Sequence, residues 1–138
     1  YPPYTGGYWL NVNSNREEAY SGSASLMGVN VNAKANLVFC VALAVNKGVN
    51  VNSKGTFLIK GALAQGTTEA PYNALIVNND GVLQIEGSLV IYGNMILNNG
   101  ATLQFLGSES SITVYGKVTK NGNVTITGDY TDTFNSLK

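Results

Sequence analysis

Gly28-Val-Asn-Val-Asn-Ala-Lys-Ala-Asn-Leu-Val-Phe39 returns twenty residues further on as Gly48-Val-Asn-Val-Asn-Ser-Lys-Gly-Thr-Phe-Leu-Ile59. Each copy alternates apolar and polar residues, passes a small residue and a lysine, and enters a β-branched and aromatic run, so each reads as strand, turn, strand. A period of this size predicts a solenoid, in which a repeat buries its apolar face only by stacking on the next.

The register extends in both directions. Leu10-Asn-Val-Asn13 stands nineteen residues before Val29-Asn-Val-Asn32, and Val49-Asn-Val-Asn52 is followed by Leu75-Ile-Val-Asn78 after twenty-six and by Met95-Ile-Leu-Asn98 after twenty more. The surplus falls in the Gly66-Thr-Thr-Glu-Ala-Pro-Tyr72 region, read as a loop insertion, and Ser108-Glu-Ser-Ser111 reads as a second, smaller one. Second strands align as Leu37-Val-Phe39, Phe57-Leu-Ile59, Leu83-Gln-Ile85, Leu103-Gln-Phe105 and Val124-Thr-Ile126, with the outer two residues of each triplet facing a core. Third strands begin after Gly61, Gly87, Gly107 and Gly128, a column where glycine would allow a positive φ.

These alignments predict an all-β chain: a single-stranded parallel β-solenoid, right-handed by crossover chirality, of about six coils of ~20 residues with three short strands each. Residues 10–128 form the solenoid, residues 1–9 an extended Pro/Gly/aromatic arm, and residues 129–138 a C-terminal tail. Ser14-Asn-Arg-Glu-Glu-Ala-Tyr20 reads as one helical turn in a degenerate first coil. An antiparallel sandwich would also show short strands and Gly/Asn turns, but it gives no reason for the twenty-residue identity.

The most specific column is Asn32, Asn52, Asn78 and Asn98, with Asn13 before it and Asn121 nearby. Asparagine tolerates a left-handed corner, and its amide both donates and accepts, so stacked copies can bond from coil to coil. This column resembles the asparagine ladder of secreted parallel β-helix proteins such as polysaccharide lyases, tailspikes and adhesin passengers, over about residues 10 to 128. The resemblance implies the same fold. It does not carry over the lyase chemistry, which needs acidic and basic residues clustered on one face. Here there is a single arginine, Arg16, and the eight acids lie on scattered loops and corners. Glycoside hydrolysis would need two carboxylates held across a cleft. The chain reads as a non-enzyme.

Composition narrows the class further. Charged residues make up 12% of the chain, the formal net charge is zero and histidine is absent, so there is no electrostatic footprint for nucleic acid. The nine-residue apolar run Leu37 to Val45 is too short for a membrane-spanning helix. Without histidine or a cysteine pair no zinc site is expected, and no cofactor is indicated. Lone Cys40, in an apolar strand, reads as a buried, inert thiol. A start at Tyr1 without methionine and a surface rich in Gly, Asn, Ser, Thr and Tyr fit a secreted, extracellular protein whose signal peptide has been removed. In that setting Asn123-Val-Thr125 is a sequon that would accept a glycan, although it falls in an expected strand.

A solenoid must hide the open strand edges of its terminal coils, and no amphipathic cap is visible here. Exposed ends on a short rod favour heterologous head-to-tail contacts and an open filament. The expected function is a structural filament subunit, with Tyr1, Tyr4, Tyr8, Trp9, Tyr130 and Phe134 at the assembly interface and the arm docked on a neighbouring copy. The alternative expectation is a carbohydrate-binding adhesin or phage-fibre module.

Overall fold

The computed structural model describes residues 1–69 and 74–138. Its described elements are eighteen β-strands, three to a coil, in six coils. The first coil carries β1 (Trp9–Val12), β2 (Glu17–Tyr20) and β3 (Ala24–Leu26), and the second β4 (Gly28–Val31), β5 (Asn36–Phe39) and β6 (Ala42–Val45). The third holds β7 (Val49–Val51), β8 (Thr56–Ile59) and β9 (Ala62–Gln65), and the fourth β10 (Ala74–Val77), β11 (Val82–Ile85) and β12 (Ser88–Ile91). The fifth has β13 (Asn94–Leu97), β14 (Thr102–Phe105) and β15 (Ser111–Val114), and the sixth β16 (Val118–Lys120), β17 (Thr125–Thr127) and β18 (Thr131–Asp132). Among the described residues no helix is long and apolar enough to cross a membrane.

Every third strand stacks on its predecessor, giving three six-stranded parallel sheets that enclose one core. The register is the one the repeats dictate: Val49 lies over Val29, Phe57 over Leu37 and under Leu83, and Leu63 between Leu43 and Leu89. Because side chains alternate along a strand, each strand of the second to fifth coils sends two residues inward, and these stack in columns such as Phe39, Ile59, Ile85 and Phe105, all buried. Gln65 is a fully buried polar residue in an interior core column, and it is satisfied: its Nε2 donates to the Lys47 carbonyl at 2.9 Å and its Oε1 accepts the Gly93 N–H at 3.3 Å.

The turn from the first to the second strand of each coil repeats one design. The N–H of Ala35 donates to the Asn32 carbonyl at 3.0 Å, and Gly55, Gly81 and Ala101 do the same to Asn52, Asn78 and Asn98. Left-handed backbone occurs here, at Asn15, Lys34, Lys54, Asp80 and Gly100. In the second to fifth coils the following residue is small, Ala35, Gly55, Gly81 or Ala101: a Cβ on Gly55 would already stand 3.0 Å from the Asn32 carbonyl oxygen.

Several expectations change. Ser14 to Tyr20 is no helical turn: Asn15 takes the left-handed corner at φ 66°, and β2 follows as it must to extend its sheet. Gly61, Gly87 and Gly107 do not have positive φ; a Cβ on any of them would collide with a carbonyl oxygen of the coil below, so close backbone approach explains the glycines. Gly128 has φ 98° and lies outside that column, over Phe105, because the last coil is shifted by two residues from the expected register: Ile126, half-buried, stacks on Leu103. Cys40 is half-buried at an outward corner, beneath Lys60, whose N–H bonds to the Phe39 carbonyl. The C-terminal tail, residues 129–138, contains β18 and buries Leu137. Of the first loop insertion, residues 70–72 lie outside the described residues. In the second, Ser110 turns inward and its hydroxyl donates to the Glu86 carbonyl at 2.9 Å while accepting the Gly107 N–H at 3.0 Å.

Candidate functional site

The predicted asparagines form a continuous ladder. Asn52 Nδ2 donates to Asn32 Oδ1 at 3.3 Å, Asn78 to Asn52 at 2.8 Å, Asn98 to Asn78 at 3.0 Å and Asn121 to Asn98 at 2.9 Å. Each interior amide thus donates to one neighbour and accepts from the other, a structural role in the coil corner. Asn13 instead offers its backbone carbonyl to the Arg16 N–H at 3.0 Å. A second ladder went unrecognised in the sequence: Asn30 donates to Asn11 at 2.8 Å and Asn50 to Asn30 at 3.0 Å on the outer face of the first sheet. Its signal was the other asparagine of the same Val-Asn-Val-Asn repeat.

The residues expected at an assembly interface divide between opposite ends of the rod. β1, β2 and β3 are the edge strands at one end, and β16, β17 and β18 those at the other. At the first end Tyr1, Tyr8 and Trp9 are 70%, 72% and 56% exposed. The Trp9 ring occupies the space where Gly28 lacks a side chain, with the Lys47 ammonium 5.7 Å from the ring centroid. Tyr4 is different, for it folds onto its own first coil, edge-on to Tyr20 at 5.0 Å and 6.1 Å from Phe39. On the same strand as Tyr20, Glu18 occupies an inward position that is leucine or phenylalanine in the next four coils, and its carboxylate accepts a hydrogen bond from the Tyr20 hydroxyl. Burial, then the hydrogen bond to Glu18 and its charge, push the Tyr20 hydroxyl up to about 12; burial and the same charge raise Tyr4.

At the second end Tyr130 stacks on Phe105 at 4.3 Å and Phe134 meets Tyr115 edge-on at 5.4 Å. Leu137 plugs the last coil. The Asp132 carboxylate accepts the N–H groups of Ser136 and Leu137 at 3.0 and 2.9 Å, and the Lys120 ammonium donates to the Leu137 carbonyl at 2.6 Å. Asn123, expected in a strand, lies exposed in the turn ahead of β17 with its N–H bonded to Asn99 Oδ1 at 2.8 Å.

Along the side of the rod Tyr92 and Tyr115 stack in parallel, with centroids 5.1 Å apart. They line an open groove of about 430 Å³ with Thr68, Asn94 and Gly116. Among the described residues no cluster of three or more acidic or cysteine side chains could hold a metal ion. No family model, no curated protein and no solved structure matches this chain, and its function is read from geometry alone.

Proposed function

We propose that this chain is a structural subunit of a secreted extracellular filament, assembling head to tail through the ends of its solenoid. One observation carries the reading: both ends terminate in edge strands of the same three parallel sheets, so the last coil of one copy has the polarity needed to continue onto the first coil of the next. Edge strands present unpaired backbone donors and acceptors and template such addition. Of the exposed aromatics among the described residues, Tyr1, Tyr8 and Trp9 lie at one end and Tyr130 and Phe134 at the other, where large rigid side chains anchor interfaces, and Tyr115 alone lies on the side of the rod. The contact is heterologous, and repeated without closure it generates a fibre. A low charge content and zero net charge weaken the repulsion that keeps proteins apart. Negative-stain electron microscopy at rising protein concentration tests the reading; unbranched fibres are expected, and a monomer at every concentration would overturn it.

The Tyr92–Tyr115 groove favours a second reading, a carbohydrate-binding module, because aromatic rings beside an amide and a hydroxyl suit a neutral sugar. Binding of a soluble oligosaccharide that is lost in Tyr115→Ala, by a protein that stays monomeric, would select it.

A further inference from the structure

The first coil does not end in a wholly bare edge. Residues ahead of β1 return beneath it and take part of the place that a preceding coil would fill. Pro3 pairs with Ser21 in a parallel bridge, the sense in which all the stacked strands run. The Ser21 N–H donates to the Pro2 carbonyl at 2.9 Å and its hydroxyl to the Tyr1 carbonyl at 2.5 Å. The Tyr4 ring closes the apolar column beneath Tyr20 and Phe39, and its hydroxyl turns back to the Gly7 carbonyl at 2.5 Å. We propose that the seat of this arm is the docking edge for the last coil of a second copy, and that the arm is an exchangeable occupant which must leave for that copy to bind. The proposal rests on the head-to-tail reading and adds a competition to it.

The competition follows from hydrogen-bond capacity. An incoming coil that extends the second and third sheets must pass Ser21, which lies between β2 and β3, and the Ser21 N–H already has a partner. A second strand cannot use the same donor while Pro2 holds it. The arm is also held lightly: none of residues 1–9 is fully buried, its start is held by two bonds to Ser21 and the Tyr4 contacts, and farther along only the Tyr8 carbonyl, which accepts the Met27 and Gly28 N–H groups at 2.7 and 3.4 Å, ties it beside β1, with Tyr1 and Tyr8 largely in solvent. The opposite end is fastened more firmly, with Leu137 4% exposed and three hydrogen bonds around it. Removal of the arm frees the Ser21 N–H for the incoming coil and uncovers Glu18 and Tyr20, whose side chains stay bonded to each other.

The test compares full-length protein with Tyr4→Ala and with the milder Ser21→Ala, following fibre growth by light scattering and fibre diameter by electron microscopy. If the arm competes, Tyr4→Ala lowers the threshold concentration for fibres roughly threefold to tenfold, the factor set by losing one aromatic contact, and leaves the diameter unchanged. Ser21→Ala moves it the same way by less. A threshold that rises in Tyr4→Ala would show that Tyr4 itself crosses to the neighbour, and an unchanged threshold that the arm obstructs nothing; either overturns the competition while the filament reading stands. Wild type and both variants all remaining monomeric would overturn the filament reading and the competition together.

Discussion

At Gly61 an added methyl group would collide with the Val41 carbonyl, whereas at Gly48 the nearest atom would stand 3.6 Å away. The two glycines look alike in a sequence, yet only the first is demanded by the spacing of stacked backbones. Gly61→Ala is therefore expected to cost about 1–3 kcal/mol as an overpacked contact that backbone cannot relieve, and Gly48→Ala within about 0.5 kcal/mol of neutral. Urea denaturation of both variants checks this, and equal losses would remove the close-approach explanation. Asn78 sits between two rungs, so Asn78→Ala leaves Asn52 Oδ1 without its donor and Asn98 Nδ2 without its acceptor. A loss of about 1–3 kcal/mol is expected, read from the same denaturation curves; full stability would show that the ladder is not a structural device. The ladder was legible because one amide recurs at the coil spacing. The glycine column was legible as a column but not in its cause, since a glycine that needs positive φ and one that needs closeness read the same.

Among the elements, the second to fifth coils follow the sequence closely, because each has neighbours on both sides and its inward positions are large and apolar. The terminal coils do not. β2 turns Glu18 and Tyr20 inward, and the sixth coil brings Lys120 to the same kind of position, so no alternation marked them as strands of the sheets they extend. The two-residue shift at β17 has the same origin: the turn after Asn121 is closed by Gly122 at φ 69°, and neither Val124 nor Ile126 is fully enclosed. The cap on the first coil carries a pH signature. Tyr20 has its hydroxyl raised from 10.0 to about 12 in the folded chain by burial and by Glu18, so the folded state holds this proton more tightly than the unfolded one. The stability it contributes is complete below pH 10, and it is lost as pH rises from there through about 12. Thermal unfolding of wild type and Tyr20→Phe should therefore converge as pH climbs through that window, the variant lacking the slope. Parallel profiles would mean that the Tyr20–Glu18 bond does not hold the cap.

For the whole molecule the decisive property is direction. Among the described residues all fifteen strand pairings are parallel, and the strands of each sheet stack in chain order from the first coil to the sixth, so one axis carries the hydrogen bonds between coils. A fibre built head to tail keeps that axis as its own, and its strands lie across the fibre. A fibre built by side-to-side packing, through the outer face of a sheet, would set the axis at an angle to its length. Strands stacked along a fibre scatter at about 4.7–4.9 Å on the meridian. Aligned fibres of this protein should accordingly show that reflection on the meridian, with an axial repeat of roughly 30 Å from six coils at that spacing. The reflection should persist in Trp9→Ala fibres if these form, because Trp9 lies on the outer face over Gly28 and contributes to the rim of the contact rather than to the stacking of coils. The same reflection found on the equator would place the contacts on the flanks of the rod, and the open ends would then have some other cover.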